Sequence, residues 1–196
     1  MDLTLYGTKA SRALRVLWTL EELGLPYRHV PSKPRDAESR GASPAGRIPV
    51  LVADGAALTD SVAIMAFLAD AHGALTAPAG TPARARQDAL TLSALEFLDA
   101  PLWAYAQHAF VLPEAERVPE AKAAARAAFD RGAAALAERM EGPWAAGDAF
   151  TVPDILIAHC AGWSRVAKMD PLPDALAGHM ERARARPAFA RAAARD

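Results

Sequence analysis

The sequence predicts an α/β region followed by an all-α region, and three observations lead to that fold class. Over residues 1–73, short apolar runs and amphipathic stretches follow the order strand, helix, strand, then strand, strand, helix. Residues 74–82 shift to Ala, Gly, Pro and Thr, the composition of a linker. Beyond it no strand pattern recurs, and Ala, Leu, Arg and Glu dominate. This reading sets a first domain at 1–75, a linker at about 74–82 and a second domain at 83–196. The length agrees, because 196 residues suffice for one domain or two small ones.

Leu3, Thr4, Leu5 and Tyr6 alternate apolar and polar and predict a short strand. After Gly7, Thr8, Lys9 and Ala10, Ser11 is a good N-cap. Ala13, Val16, Leu17 and Leu20 then line one face of a helix over 12–23, which Gly24 and Pro26 stop. Residues 27–30 form a second strand, and the polar run 31–46 is a long connection with room for one helical turn. Val50-Leu51-Val52, Asp54-Gly55 and Ala57-Leu58 predict a hairpin, since Asp-Gly tolerates the positive φ of a tight turn. Thr59, Asp60 and Ser61 are cap-type residues opening a helix over 62–72, closed by Gly73. In the second region helical windows recur at about 84–110, 120–141, 152–166 and 174–186, and Pro101 is expected to break or kink the first.

Composition narrows the function. Hydrophobic residues make up 52% and charged residues 23%, so the chain builds a core rather than staying disordered. Lys and Arg number 22 against 23 Asp and Glu, a net charge of -1, so no global positive field attracts nucleic acid or anionic lipid. Neither partner is expected. The longest apolar run, 62–69, falls far short of the roughly 20 residues that cross a bilayer. Cys160 is the single cysteine and forms no internal disulfide or thiolate metal cluster, and the amino terminus lacks a basic segment followed by an apolar one. A soluble protein in a reducing, cytoplasmic setting is expected.

Common catalytic signatures are missing. The sequence holds no G-x-x-x-x-G-K-[ST] loop, no G-x-G-x-x-G and no H-E-x-x-H. Gly41-Ala42-Ser43-Pro44-Ala45-Gly46 is one residue too long for a nucleophile elbow and precedes a strand instead of joining a strand to a helix. His29, His72, His108, His159 and His179 make no helical i, i+4 pair with one another or with Cys160, so no metal site is expected.

One constellation in the first region carries chemistry. In Arg47-Ile48-Pro49-Val50-Leu51, Pro49 is either an ordinary strand-entry proline or a cis proline whose turn offers the backbone N–H and C=O of Ile48 to an extended peptide. Asp60-Ser61 likewise has two readings. Both residues cap a helix, or Ser61 Oγ and the exposed N–H groups hold a carboxylate while Asp60 pairs with an ammonium. An amino-acid head group needs that arrangement of donors beside an acceptor.

Ser11-Arg12-Ala13-Leu14-Arg15-Val16-Leu17-Trp18, continued by Leu20-Glu21-Glu22-Leu23-Gly24-Leu25-Pro26-Tyr27, resembles the first helix of bacterial and fungal glutathione S-transferases. Ser43-Pro44-Ala45-Gly46-Arg47-Ile48-Pro49-Val50-Leu51 and Leu58-Thr59-Asp60-Ser61-Val62-Ala63-Ile64 resemble the next two segments of that family, in the same order. Gly147-Asp148-Ala149-Phe150-Thr151-Val152-Pro153-Asp154-Ile155 is similar to its helix-capping segment, so the resemblance spans nearly the whole chain. It implies a thioredoxin-like N-terminal domain that binds glutathione, followed by an all-helical C-terminal domain that contributes the electrophile site, in a homodimer. By the same resemblance Ile48 binds the cysteinyl backbone across cis Pro49, and Asp60 with Ser61 holds the γ-glutamyl end. Arg47 contacts the glycyl end or lies at the surface. Thr151 and Asp154 form a capping pattern assigned to stability.

A thiol with pKa near 8.5 is only a few per cent ionised at neutral pH, so a transferase gains rate by stabilising the thiolate. Ser11, just ahead of a helix and four residues before Arg15, fits the serine-using members; Thr8 and Tyr6 are competing donors. The first region has no Cys, which argues against the cysteine-using branches. Trp103, Tyr105, Phe110 and Trp163 either line an apolar electrophile pocket or serve as core and interface residues. Arg182, Arg184, Arg186, Arg191 and Arg195 read as a solvated helix face. The resemblance thus implies a cytosolic detoxification enzyme that conjugates glutathione, its co-substrate, to a small hydrophobic electrophile without a metal. A glutathione-dependent isomerase and a non-catalytic binding or regulatory protein of the same fold are the alternatives.

Overall fold

Leu3 and Leu5 are buried while Thr4 and Tyr6 are half-buried, the period-two pattern that makes residues Leu3–Tyr6 a strand, β1. The structure is a computed structural model describing residues 1–195. Three more strands, β2 (Arg28–Val30), β3 (Val50–Ala53) and β4 (Ala56–Thr59), complete a mixed sheet in the order β2-β1-β3-β4. β1 is parallel to β2 and antiparallel to β3, which pairs antiparallel with β4. The β3–β4 turn is the expected Asp54-Gly55 pair, with φ of 47° and 84°.

Helices α1 (Ala13–Leu23) and α3 (Ser61–His72) accompany this sheet, with the short α2 (Ala37–Ala42) in the long connection. Val16, Leu17 and Leu20 of α1, Leu5 and Leu51 of the sheet, and Ile64, Met65 and Leu68 of α3 are all fully buried. Each contributes about 1.5–3 kcal/mol by leaving water.

The rest is helical: α4 (Pro82–Ala94), α5 (Ala100–Ala106), α6 (Pro119–Ala137), α7 (Val152–Val166), α8 (Asp174–Arg184) and α9 (Pro187–Ala193). The chain divides into two compact units, residues 1–79 together with everything from Arg184 on, and residues 80–183. α7 is buried almost all round, as suits a central helix.

Pro101 does not break its helix. α4 runs through a π-helical segment, Leu95–Asp99, into α5, and a second such segment, Gln107–Val111, follows. Proline has no N–H for the carbonyl of Phe97 one turn back, and widening the helix by a π turn absorbs the mismatch without a stop. A Cβ at Gly132 of α6 would lie 2.5 Å from that same Phe97 oxygen, so the carbonyl that Pro101 leaves without its helical donor faces a glycine.

Candidate functional site

The register brings the predicted residues to one end of the sheet. Val50 pairs with Tyr6 on one side and Thr59 on the other, so Ile48-Pro49, Tyr6-Gly7 and Asp60-Ser61 all lead off the same edge. The Ile48–Pro49 bond is cis, and Arg47 before it is exposed. Gly7 makes the convergence possible. Its φ is +140°, and a Cβ there would lie 2.6 Å from the Cβ of Ala13 and 3.4 Å from that of Ile48. The start of α1 and the cis-proline turn therefore close on Gly7 from two directions.

Ser11 stands half-buried ahead of α1. Its hydroxyl donates to the Thr8 carbonyl at 2.7 Å and accepts the Ala13 N–H at 3.1 Å; the N-cap itself is Arg12, so Ser11 braces the helix entry from one residue further out than its residue type suggests. Oγ remains at the beginning of the helix, where the dipole favours an anion. Thr8 and Tyr6 are both half-buried.

Asp60 is the N-cap of α3. Its Oδ1 accepts the N–H groups of Val62 and Ala63 at 2.8 and 3.2 Å, and its backbone sits at φ 70°, ψ 122°. Few non-glycine residues occupy that region, which concentrates at functional sites. The Asp60 carboxylate is exposed, whereas Ser61 is 4% exposed.

Arg15 completes this set and is the residue whose part the sequence does not disclose beyond its spacing from Ser11. It is fully buried, and its Nη1 donates to Ser61 Oγ at 3.2 Å. The available signal is a cation at a position flanked by the apolar residues of α1, where an exposed arginine would not fit the pattern.

The C-terminal arginines depart from the solvated face expected of them. Arg186 binds Glu22 through two bonds of 2.7 Å, while Arg191 and Arg195 reach Glu21 at 2.9 and 2.7 Å. Glu21 also accepts the Tyr27 hydroxyl at 2.8 Å, and Trp18 packs its ring 4.8 Å from that of Phe189. Both carboxylates lie on α1, so α9 is clamped along the helix that follows Ser11 and carries Arg15. Burial pushes the Glu21 carboxyl up, but hydrogen bonds from Arg195, Tyr27 and Arg191 outweigh it and hold the group below the ordinary range. Burial and the adjacent carboxylate push the Tyr27 phenol up.

In the helical unit Trp103 and Phe110 are 40% and 60% exposed, Tyr105 stacks under Lys122, and Trp163 meets His159 edge-on. Thr151 and Asp154 form the expected capping box at the start of α7. No helix is long and apolar enough to cross a membrane among the described residues.

Residues 11–71, the span that runs from Ser11 through α3, match the family model described as the N-terminal domain of glutathione S-transferase. The whole chain is similar to a glutathione transferase from Methylococcus capsulatus strain Bath, 27% identical over 97% of this chain and 96% of that one, with a TM-score of 0.84. A glutathione S-transferase domain-containing protein from Marinobacter aquaeolei VT8 is 28% identical over 95% and 99%, with a TM-score of 0.83. A theta class glutathione S-transferase from Xanthomonas axonopodis pv. citri, solved with glutathione bound, is 25% identical over 100% and 98%, with a TM-score of 0.82. No curated protein matches the sequence. The first unit has the thioredoxin-like architecture, residues 11–71 match the N-terminal domain of glutathione S-transferases, and the whole chain shares the fold of glutathione transferases.

Proposed function

We propose that this protein is a glutathione transferase that adds the glutathione thiolate to a small hydrophobic electrophile. The observation that carries the reading is the meeting of the Ile48-Pro49 turn with the Asp60-Ser61 start of α3 at one end of the sheet. Ile48 offers backbone groups to the cysteinyl residue. Ser61 Oγ, at the positive end of the α3 dipole, receives the γ-glutamyl carboxylate, and the exposed Asp60 carboxylate takes the ammonium. Arg47 is within the chemistry of the glycyl carboxylate.

Ser11 supplies the thiol activation in this reading. Its hydroxyl turns from the Thr8 carbonyl to the sulfur, donating to the thiolate and stabilising it over the neutral thiol, with the start of α1 adding its dipole. The thiol releases its proton to solvent, the thiolate attacks the electrophilic carbon, and the displaced group leaves with the electron pair of the broken bond. Thr8 and Tyr6 are the competing donors. Within the helical region, Trp103, Tyr105, Phe110 and Trp163 are side chains whose chemistry suits an apolar electrophile. Homodimeric assembly and a cytoplasmic location belong to the same reading, and the lone, buried Cys160 supports a reducing setting.

Calorimetric titration with glutathione, followed by an assay with chlorodinitrobenzene as model electrophile, tests this. Saturable binding with turnover is the expected result. Binding without turnover over a panel of electrophiles would instead favour a binding protein of this fold, and no binding at all would overturn the reading.

A further inference from the structure

The geometry points to Arg15 as the positioning residue of the γ-glutamyl site, acting through Ser61. This rests on the glutathione reading above and adds to it a residue that need not touch the ligand.

Removing a guanidinium from water costs several kcal/mol, so a fully buried arginine persists only where its donors are used. One of those donors, Nη1, reaches across 46 residues of sequence to Ser61 Oγ at 3.2 Å. A hydroxyl that accepts from a cation has its own proton left to give. It also gives it more readily, because hydrogen bonds in series polarise one another. Ser61 keeps 4% exposure at the start of α3, where the helix dipole already favours a carboxylate. The direction of polarisation runs from guanidinium to hydroxyl to anion.

The backbone supplies a second reason. Asp60 is held at a positive φ by bonds to the N–H groups of Val62 and Ala63, a geometry that persists only when its neighbourhood fixes it. Arg15 fixes the side chain of the very next residue from a different helix. Arg15 is itself anchored one turn beyond Ser11, with its carbonyl taken by the Thr19 hydroxyl at 2.9 Å. α1 thus carries the organiser of the head-group site about one turn beyond Ser11, the thiol donor of the reading above.

The test compares two peptides by calorimetry: glutathione, and γ-aminobutyryl-cysteinylglycine, which keeps the ammonium and lacks only the γ-glutamyl carboxylate. In Arg15→Met, glutathione affinity should fall about tenfold, or about 1.4 kcal/mol, while affinity for the second peptide changes less than about twofold. Added to Ser61→Ala, the same change should cost less than about threefold, because both act through one hydroxyl. A purely structural arginine would weaken both peptides alike and add to Ser61→Ala in full, and that result would overturn the inference while leaving the glutathione reading in place. If Arg15→Met does not fold, Arg15→Lys carries the test. Its ammonium replaces a planar fork aimed at Ser61, so preference for glutathione should fall at least about threefold, and an unchanged preference in the folded variant overturns the inference. Wild type binding both peptides equally would overturn the head-group reading itself.

Discussion

Asp154 Oδ1 lies 2.7 Å from His179 Nε2, and both side chains are fully buried in the helical unit. The same carboxylate accepts the Ala145 N–H at 2.7 Å, the Thr151 N–H at 2.7 Å and the Thr151 hydroxyl at 3.1 Å. His179 Nδ1 has no hydrogen-bond partner among the described residues, so Asp154 is what holds the ring's polar edge. Asp154 therefore joins the α7 cap, the loop at Ala145 and α8, more than a capping box alone requires. Asp154→Ala should destabilise the protein by about 3–5 kcal/mol, since it orphans several buried donors at once. Thr151→Ala should cost about 0.5–2 kcal/mol. Urea unfolding followed by circular dichroism measures both. Glutathione affinity of the folded fraction should stay unchanged, and unaltered stability with lost binding would move Asp154 from scaffold to site.

The contact between Gly132 and the Phe97 backbone sets a second expectation. An added Cβ would meet Phe97 O, Cβ and Cα at 2.5, 2.8 and 2.9 Å, all parts of a helix that cannot swing aside. Alanine normally gains about 1 kcal/mol over glycine inside a helix. Here the clash should win, and Gly132→Ala should lose about 1–3 kcal/mol. Gly178 in α8 is the control: a Cβ there meets only the Arg182 Nη1 at 3.4 Å, the far end of a flexible side chain. Gly178→Ala should raise the melting temperature, and Gly132→Ala should lower it.

The Glu21 clamp makes stability depend on acid. Its folded carboxyl titrates below the ordinary range, so the folded protein holds fewer protons than the unfolded one as pH falls. The clamp's contribution is complete above the unfolded value of about 4.3 and is lost as pH drops through the lower folded value. Glu21→Gln should be less stable than wild type at neutral pH and should show a shallower acid limb, with the two curves converging in strong acid. Parallel curves across the whole range would show that the arginines hold Glu21 no better in the folded state than water does in the unfolded one.

Most of the first unit is legible because its signals are local. Alternation marks β1, Asp54-Gly55 marks the hairpin, and Ser11 and Asp60 announce helix starts by residue type. The site residues share an edge for a reason outside the sequence: Tyr6, Val50 and Thr59 fall into one register only when the strands pair. The return of α9 to α1 is hidden for the same reason. Arg191 and Arg195 are 54% and 45% exposed, so a solvated face describes half of each side chain, and the carboxylates that bind the other half lie about the whole chain away. At Pro101 the sequence leaves open whether the helix ends, and the π turn that carries the chain past the proline has no local signature.

Ser11 is where geometry and chemistry make separate demands on one hydroxyl. As a brace of the helix entry it gives its proton to the Thr8 carbonyl and accepts from Ala13; as a thiol activator it must give that proton to sulfur. The acceptor bond to Ala13 survives the change, so the rotation gives up one bond to a neutral carbonyl for one to an anion, the stronger kind. The bound thiol should then titrate about one to two units below its free value, or about 1.4–2.7 kcal/mol of selective thiolate stabilisation. Ser11→Ala removes both roles. Loss of the brace should lower stability by about 0.5–2 kcal/mol. Loss of the donor should return the thiol toward its free pKa and reduce turnover near neutral pH on the order of tenfold to a hundredfold, with glutathione affinity changing much less. Ser11→Gly separates the roles, because glycine is tolerated at a cap-type position to within a few tenths of a kcal/mol but has no proton to donate. Ultraviolet titration of the bound thiolate, run beside Thr8→Ala and Tyr6→Phe, assigns the donor: a Ser11→Gly protein with wild-type thiol pKa and turnover leaves Ser11 a brace only, and a loss confined to Thr8→Ala or Tyr6→Phe transfers the activation to that residue.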